Sequence, residues 1–190
     1  MSESHPAAGV GYDQAIQVLI PGYGSLARLA VALLSVSPLA SAPSASILVA
    51  GCGTGAELIE ARSQRPDWQL TALDPSPAML AVARERLRST EAVEWKQARV
   101  EDLQPAQHFQ GALAVLVLQS LPDDGSKLAF LSALARALQP GGQLVLVDLM
   151  QPERSALRSQ LEEAWTAFQR ASGLQVPSEV LAPIARDLHP

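Results

Sequence analysis

Residues 46–55, SILVAGCGTG, set Gly51, Gly53 and Gly55 at alternate positions directly behind a continuous apolar run. Such a run suits a strand buried on both faces, as in a parallel sheet held between helix layers. Glycines at its end let the backbone turn and come close to another group with no Cβ in the way. The pattern then repeats. WQLTALD (68–74), AVEWKQ (92–97), GALAVLVL (111–118) and QLVLVD (143–148) read as four further strands. The intervening stretches read as helices: one ending near Arg65, one over 77–88 and one over 126–138. Ser76 and Pro77 supply an N-cap and a first-turn proline for the second of these, with Met79, Ala83 and Leu87 on one face. In the third, Leu128, Leu131, Leu134 and Leu138 form the expected buried stripe, and PGG at 140–142 the stop. Strand–helix alternation of this kind predicts an α/β, doubly wound sheet: at least five parallel strands, right-handed crossovers, helices on both faces.

The flanks are helical. YDQAIQVLI reads as a short helix, PGYG at 21–24 breaks it, and Ser25 is placed to cap a second helix through about residue 36. Residues 37–46 form a linker inside the domain. A helix over 153–171 is expected to bury Leu157, Leu161, Trp165 and Phe168. A short helical segment follows in 173–190, with no strand signal after VLVD. The expected organisation is one domain over 1–190: a helical cap (1–44), a ligand-binding core (45–150) and a helical extension (151–190). The fifth strand would then be an open edge, which proteins pair or cover. Pairing with a second copy, or cover from helices within 153–188, is expected.

The net charge of −5 argues against general affinity for nucleic acid or an anionic membrane, whose contacts need clustered Lys and Arg. The basic run ARERLR (83–88) reads as a solvated helix face. With Cys52 as the one cysteine and only His5, His108 and His189, no disulfide or metal-ligand spacing is present, which suits the cytoplasm. MSESHPAAG lacks the features of a signal peptide, and LARLAVALLSV (26–36) is too short to span a bilayer.

In a doubly wound sheet, ligands bind beyond the carboxyl ends of the strands where the winding reverses. Asp74 closes the second strand there, and a carboxylate in that place can accept both hydroxyls of a ribose. Glycine loop and acid together indicate a nucleoside-containing cofactor; a tight turn with a surface Asp is the plainer alternative. The dinucleotide fingerprint is G-x-G-x-x-G, whereas the spacing here is G-x-G-x-G.

At these residues the chain resembles the S-adenosylmethionine (SAM)-dependent methyltransferases with a Rossmann-like fold. ILVAGCGTGAELIEA is similar to their first motif, TALDPSPAMLAVARERL to their second, and LQPGGQLVLVDL to the segment around their fifth strand. The resemblance spans about residues 45–150 and implies SAM as cofactor, with S-adenosylhomocysteine (SAH) as product. The site it implies comprises Tyr23, Gly51, Cys52, Gly53, Gly55, Asp74, Pro75, Met79, Val100 and Glu101. YDQAIQVLIPGYGSLARLA and LQSLPDD show a weaker similarity to the carboxy-SAM synthase branch, where a tyrosine matching Tyr23 reaches the cofactor's methionine end. That branch's carboxylate-binding arginine has no match here and its fourth-strand asparagine falls near Val115, so its chemistry is not carried over. The resemblance also implies acids that this chain lacks. Val49 stands where the family has the acid two residues before the first glycine, Ala98-Arg99 where it has Gly-Asp, and Phe109-Gln110 where it has Phe-Asp. Glu101 or Asp102 can replace the carboxylate missing at 99. The antiparallel hairpin that closes such folds after the fifth strand is not evident.

Methyl transfer from a sulfonium needs alignment and exclusion of water first, and a base only when the acceptor must lose a proton. Gln119 and Ser120, after the fourth strand, are polar but are not bases. Asp148, His108 and Tyr12 are candidates whose plainer roles are structural, so no catalytic residue is assigned. The reading is a methyltransferase for a small molecule, admitted between the N-terminal helices and helix 153–171. A non-catalytic relative binding a nucleoside or a partner protein is the alternative. A nicotinamide oxidoreductase fits Asp74 but not the glycine spacing.

Overall fold

A computed structural model describes residues 12–87, 93–104, 108–149 and 158–172. Its centre is a parallel sheet of five strands: β1 (Ser46–Ala50), β2 (Gln69–Leu73), β3 (Val93–Lys96), β4 (Phe109–Val115) and β5 (Leu138–Val147), in the order β3-β2-β1-β4-β5. The chain winds outward from β1 through β2 to β3, then returns to the other side of β1 for β4 and β5. The winding reverses between β1 and β4, which opens a crevice at their carboxyl ends.

Alternation along each strand divides the core. Ile47 and Val49 of β1, Leu70 and Ala72 of β2 and Leu113 of β4 face α2 (Tyr23–Ser35), α3 (Ala56–Gln64) and α4 (Pro77–Leu87). Leu48, Ala50, Leu73 and Ala112 face α5 (Ser126–Ala137). Leu34, Leu48, Leu113 and Leu134 are wholly buried, each contributing about 1.5–3 kcal/mol relative to an exposed side chain. α1 (Tyr12–Leu19) meets α2 at 90°. No single helix among the described residues is long and apolar enough to cross a membrane.

Several local expectations are corrected. Gly22, at φ +76°, takes the cap position of α2, and Ser25 lies inside its first turn. α5 buries Phe130, Ala133, Leu134 and Ala137, while Leu128 is 70 % exposed. The helix is apolar on more than one side, and the sheet takes the side whose alanines permit close approach. α5 ends at Ala137, before PGG. Those residues lie within β5, where the register to β4 jumps from Phe109↔Leu138 to Gly111↔Gln143 and Gly141 adopts φ +85° in the bulge.

The 37–45 segment is tied down rather than loose. The Arg65 guanidinium donates to the carbonyls of Ala40 and Ala42, at 3.0 Å each, and pairs with Asp67. Trp68 Nε1 donates to the same Ala40 carbonyl at 2.8 Å. α6 (Arg158–Ala171) leaves Leu161 about half exposed. It reaches α1 through Trp165, whose Nε1 donates to the Leu19 carbonyl. Leu157 and the segment 173–190 lie outside the described residues.

Candidate cofactor-binding site

The glycine loop is fastened at both ends and open in the middle. The amides of Gly51 and Cys52 both donate to the Leu73 carbonyl, at 2.8 and 3.0 Å, folding the end of β1 onto β2. Gly51 has φ +69°, and a Cβ there would lie 2.6 Å from Cγ2 of Val117. Gly55 has φ +86° and brings α3 against α4, a Cβ meeting that of Ala83 at 3.0 Å. At Gly53 no atom of the described residues lies within 4 Å of a Cβ position. The outer glycines serve packing; the middle one faces free space.

Asp74 holds that arrangement from below. Its Oδ2 accepts the Gly53 amide at 2.9 Å and its Oδ1 the Ser76 amide at 2.8 Å, with the side chain buried. A carboxylate offers about four lone-pair sites, so one group can bridge the loop and a ligand. Ser76 Oγ accepts the Met79 amide at 3.3 Å, as an N-cap should, and Met79 is buried in the first turn of α4; Pro75 is exposed. On the far side, Val100 opens a 3-10 turn (Val100–Asp102) and is buried. Asp102 Oδ2 accepts the Arg99 amide at 3.0 Å, so that carboxylate serves its own turn. Arg99 and Glu101 are exposed.

Helix α1 lies at the carboxyl ends of β4 and β5. Tyr12, Tyr23, Leu26, Leu116 and Leu149 pack against Ala15, Ile16, Leu19 and Ile20. Leu116, at φ +57°, turns the chain as it leaves β4. Asp148 steadies this exit: its carboxylate accepts the amides of Leu118, Gln119 and Leu149, at 2.6, 3.3 and 2.9 Å. That makes Asp148 a structural anchor rather than a base. Gln119 is buried, and its Oε1 has no partner among the described residues. His108 is exposed beside the first residue of β4, at the opposite end of the sheet. The thiol of Cys52 packs in the core, and burial pushes it far above its usual range. Val49 is buried there too, and Gln110 bonds Ser46 and Leu39 at the amino ends of the strands.

Sequence reasoning missed a polar clamp beside the loop. Arg86 Nη1 lies 2.6 Å from Asp13 Oδ2, and also donates to the Thr54 carbonyl and hydroxyl at 3.0 and 2.9 Å. Thr54 Oγ1 donates to Asp13 Oδ1 at 2.7 Å. Helix α1, the loop and α4 are thereby joined. ARERLR is a solvated face as expected, with Arg84, Glu85 and Arg86 exposed, and its cations are also engaged: Arg86 in this clamp, and Arg84 over the Trp95 ring at 5.3 Å. Glu57, also missed, is buried in the first turn of α3, and burial pushes its carboxyl up to about 7, with Arg86 opposing the shift. Its one sequence signal was an acid two residues behind Gly55. Burial, with Glu57, Tyr12 and Asp13 nearby, holds the Tyr23 phenol above its ordinary range, so it stays a neutral donor.

A family model described as a methyltransferase domain matches residues 47–142, half of the chain, running from β1 to the bulge in β5. The chain belongs to the methyltransferase domain family. This methyltransferase domain is 40 % identical over 136 residues to the trans-aconitate 2-methyltransferase of Methylobacterium nodulans, covering 69 % of this chain and 49 % of that protein. It is 36 % identical over 110 residues to the ubiquinone biosynthesis O-methyltransferase of Xanthomonas campestris pv. campestris, covering 56 % and 44 %. Among solved structures it is similar to SAM-bound CalS10, an amino pentose methyltransferase from Micromonospora echinaspora: TM-score 0.62, 26 % identity, 76 % of this chain and 58 % of that one. The chain spans about half the length of the curated relatives it matches.

Proposed function

We propose that this methyltransferase domain binds SAM in the crevice between β1 and β4 and transfers its methyl group to a small molecule. One observation carries the reading: free space over Gly53, whose amide is joined to the Asp74 carboxylate where the winding reverses. A side chain at 53 would fill that cradle; without one, the residues present fit an adenosyl compound. The methyltransferases to which the chain is similar support the same cofactor and small acceptors.

In this reading Asp74 accepts the ribose hydroxyls, and Gly51, Cys52, Gly53 and Gly55 offer backbone. Pro75, Met79, Val100 and Glu101 border the adenosine end, and Tyr23 the amino-acid end. When bound, the cofactor would supply an electrophilic methyl carbon on a sulfonium, ready for an acceptor's lone pair and leaving the carbon–sulfur electron pair on sulfur. The chain's own contribution is placement and dryness. Tyr12, Tyr23, Leu116 and Leu149 close an apolar roof that excludes water and seats the acceptor. No side chain is assigned as base, so the reading favours acceptors that need none or that ionise unaided.

The same reading takes the whole chain as one domain: cap 1–44, core 45–150 and extension 151–190. Among the described residues no strand pairs with the outer edge of β5, where Leu146 is 39 % exposed, which supports pairing of two copies. The acidic charge supports neither a nucleic-acid nor a membrane partner, and the lone buried Cys52 supports a cytoplasmic setting. The test is incubation with methyl-labelled SAM and a panel of small carboxylic acids, phenols and amino sugars. Label on an acceptor, suppressed by added SAH, is expected; bound SAM with no label moved to any class would favour the non-catalytic alternative.

A further inference from the structure

Among the described residues, Glu57 is a buried carboxyl in no ion pair. It is 9 % exposed, and its own backbone N–H and the Arg86 guanidinium only partly offset the effect of burial on its carboxyl. The neighbouring guanidinium is committed elsewhere: Arg86 lies against Asp13 Oδ2 and the Thr54 carbonyl and hydroxyl. A buried carboxylate is normally paired or bound to a cation, because its desolvation is otherwise uncompensated. Its place is not an ordinary core position. It follows Gly55 by two residues and stands close enough to the Tyr23 hydroxyl and the Cys52 thiol to disfavour ionisation of both. It lies in the first turn of α3, the helix that starts directly from the glycine loop. The end of β1 supplies no acid there, since Val49 is apolar and buried.

We infer that Glu57 binds the ammonium group at the amino-acid end of the cofactor, with Tyr23 beside it. The inference rests on the SAM reading of the crevice and extends it to a residue outside the site that the resemblance implies. An ammonium is compact, charged and a donor of hydrogen bonds, which is what a buried acid in no ion pair lacks. Below pH 7, binding brings a cation to a carboxyl that is largely protonated when the crevice is empty, so it expels a proton. The groups facing Glu57 are Asp13 on α1, Tyr23 on α2, Cys52 in the loop and Arg86 on α4, with Tyr12 behind Tyr23. Tyr23 and Cys52 are held neutral, and Asp13 is already paired, so Glu57 is the group that gives up the proton.

The experiment compares SAH with 5′-methylthioadenosine, which lacks the amino-acid end. Titration calorimetry on wild type and Glu57→Gln is expected to show at least a tenfold loss for SAH and less than a twofold change for 5′-methylthioadenosine. Equal losses for both ligands, or none for either, overturn the inference while leaving the cofactor reading intact. Wild type that binds neither ligand overturns both. A second measurement needs no variant. SAH binding to wild type at pH 6.5, in buffers of differing ionisation enthalpy, is expected to release about half a proton or more; binding without proton release contradicts the assignment.

Discussion

The amide of Gly53 donates to Oδ2 of Asp74 at 2.9 Å, joining the middle of the glycine loop to the end of β2. The carboxylate thus shapes the loop before any ligand arrives. Asp74→Asn keeps the volume but removes the charge and one acceptor. A hydrogen bond to a charged group contributes about 1.5–3 kcal/mol, so SAH affinity is expected to fall about 10- to 100-fold, read by calorimetry.

The three glycines separate under substitution. Gly51→Ala meets Val117 at 2.6 Å as well as a left-handed backbone, and is expected to cost about 2–4 kcal/mol of stability. Gly53→Ala meets no atom, so its stability cost is about 1 kcal/mol, yet it places a methyl group in the cradle. Denaturant unfolding and SAH titration on both variants check this: Gly51→Ala loses stability most, Gly53→Ala affinity most.

Helix α1 is held to the loop by Arg86 and Asp13, with Thr54 between them. Arg86 is more than a third exposed, so water screens the pair, and Arg86→Met is expected to cost about 1 kcal/mol. The effect is local. Amide exchange in Tyr12–Leu19 should quicken while that in Ala56–Gln64 stays slow, as read by hydrogen-exchange mass spectrometry.

Stability without ligand carries the mark of Glu57. Its carboxyl rises from 4.5 in the unfolded chain to about 7 in the fold, chiefly through burial. The folded state therefore binds more protons between those values, and stability falls as pH rises through that window. The full penalty, at most about 3 kcal/mol, is present above pH 7 and absent near pH 4. Glu57→Gln removes it. Denaturant midpoints of the variant and wild type should agree near pH 4.5 and diverge in favour of the variant by pH 8.

What could be read from the sequence was what neighbouring residues decide. SILVA followed by alternating glycines specifies β1, its buried faces and the loop, and Ser76-Pro77 specifies the start of α4. Phase was harder. In α5 both the leucine stripe and the set Phe130, Ala133, Leu134 and Ala137 satisfy helical spacing, and only the sheet decides between them. The glycines at 141 and 142 could end a helix or make a bulge, and tertiary pairing of β5 selected the bulge. At the site, the loop and Asp74 were legible, whereas the Arg86–Asp13 pair joins residues 73 apart and the burial of Glu57 depends on how α3 packs. The pair leaves no local trace, and an acid two residues behind Gly55 does not by itself reveal that it is buried.

The central claim is that the loop at 51–55 and the Asp74 carboxylate form a cradle for an adenosyl sulfonium. Titration of the folded wild-type chain with SAH tests it most directly, with NAD as the control ligand. The account predicts saturable binding of SAH at micromolar concentration and none of NAD; a folded protein giving no SAH binding at millimolar concentration, or preferring NAD, would contradict it.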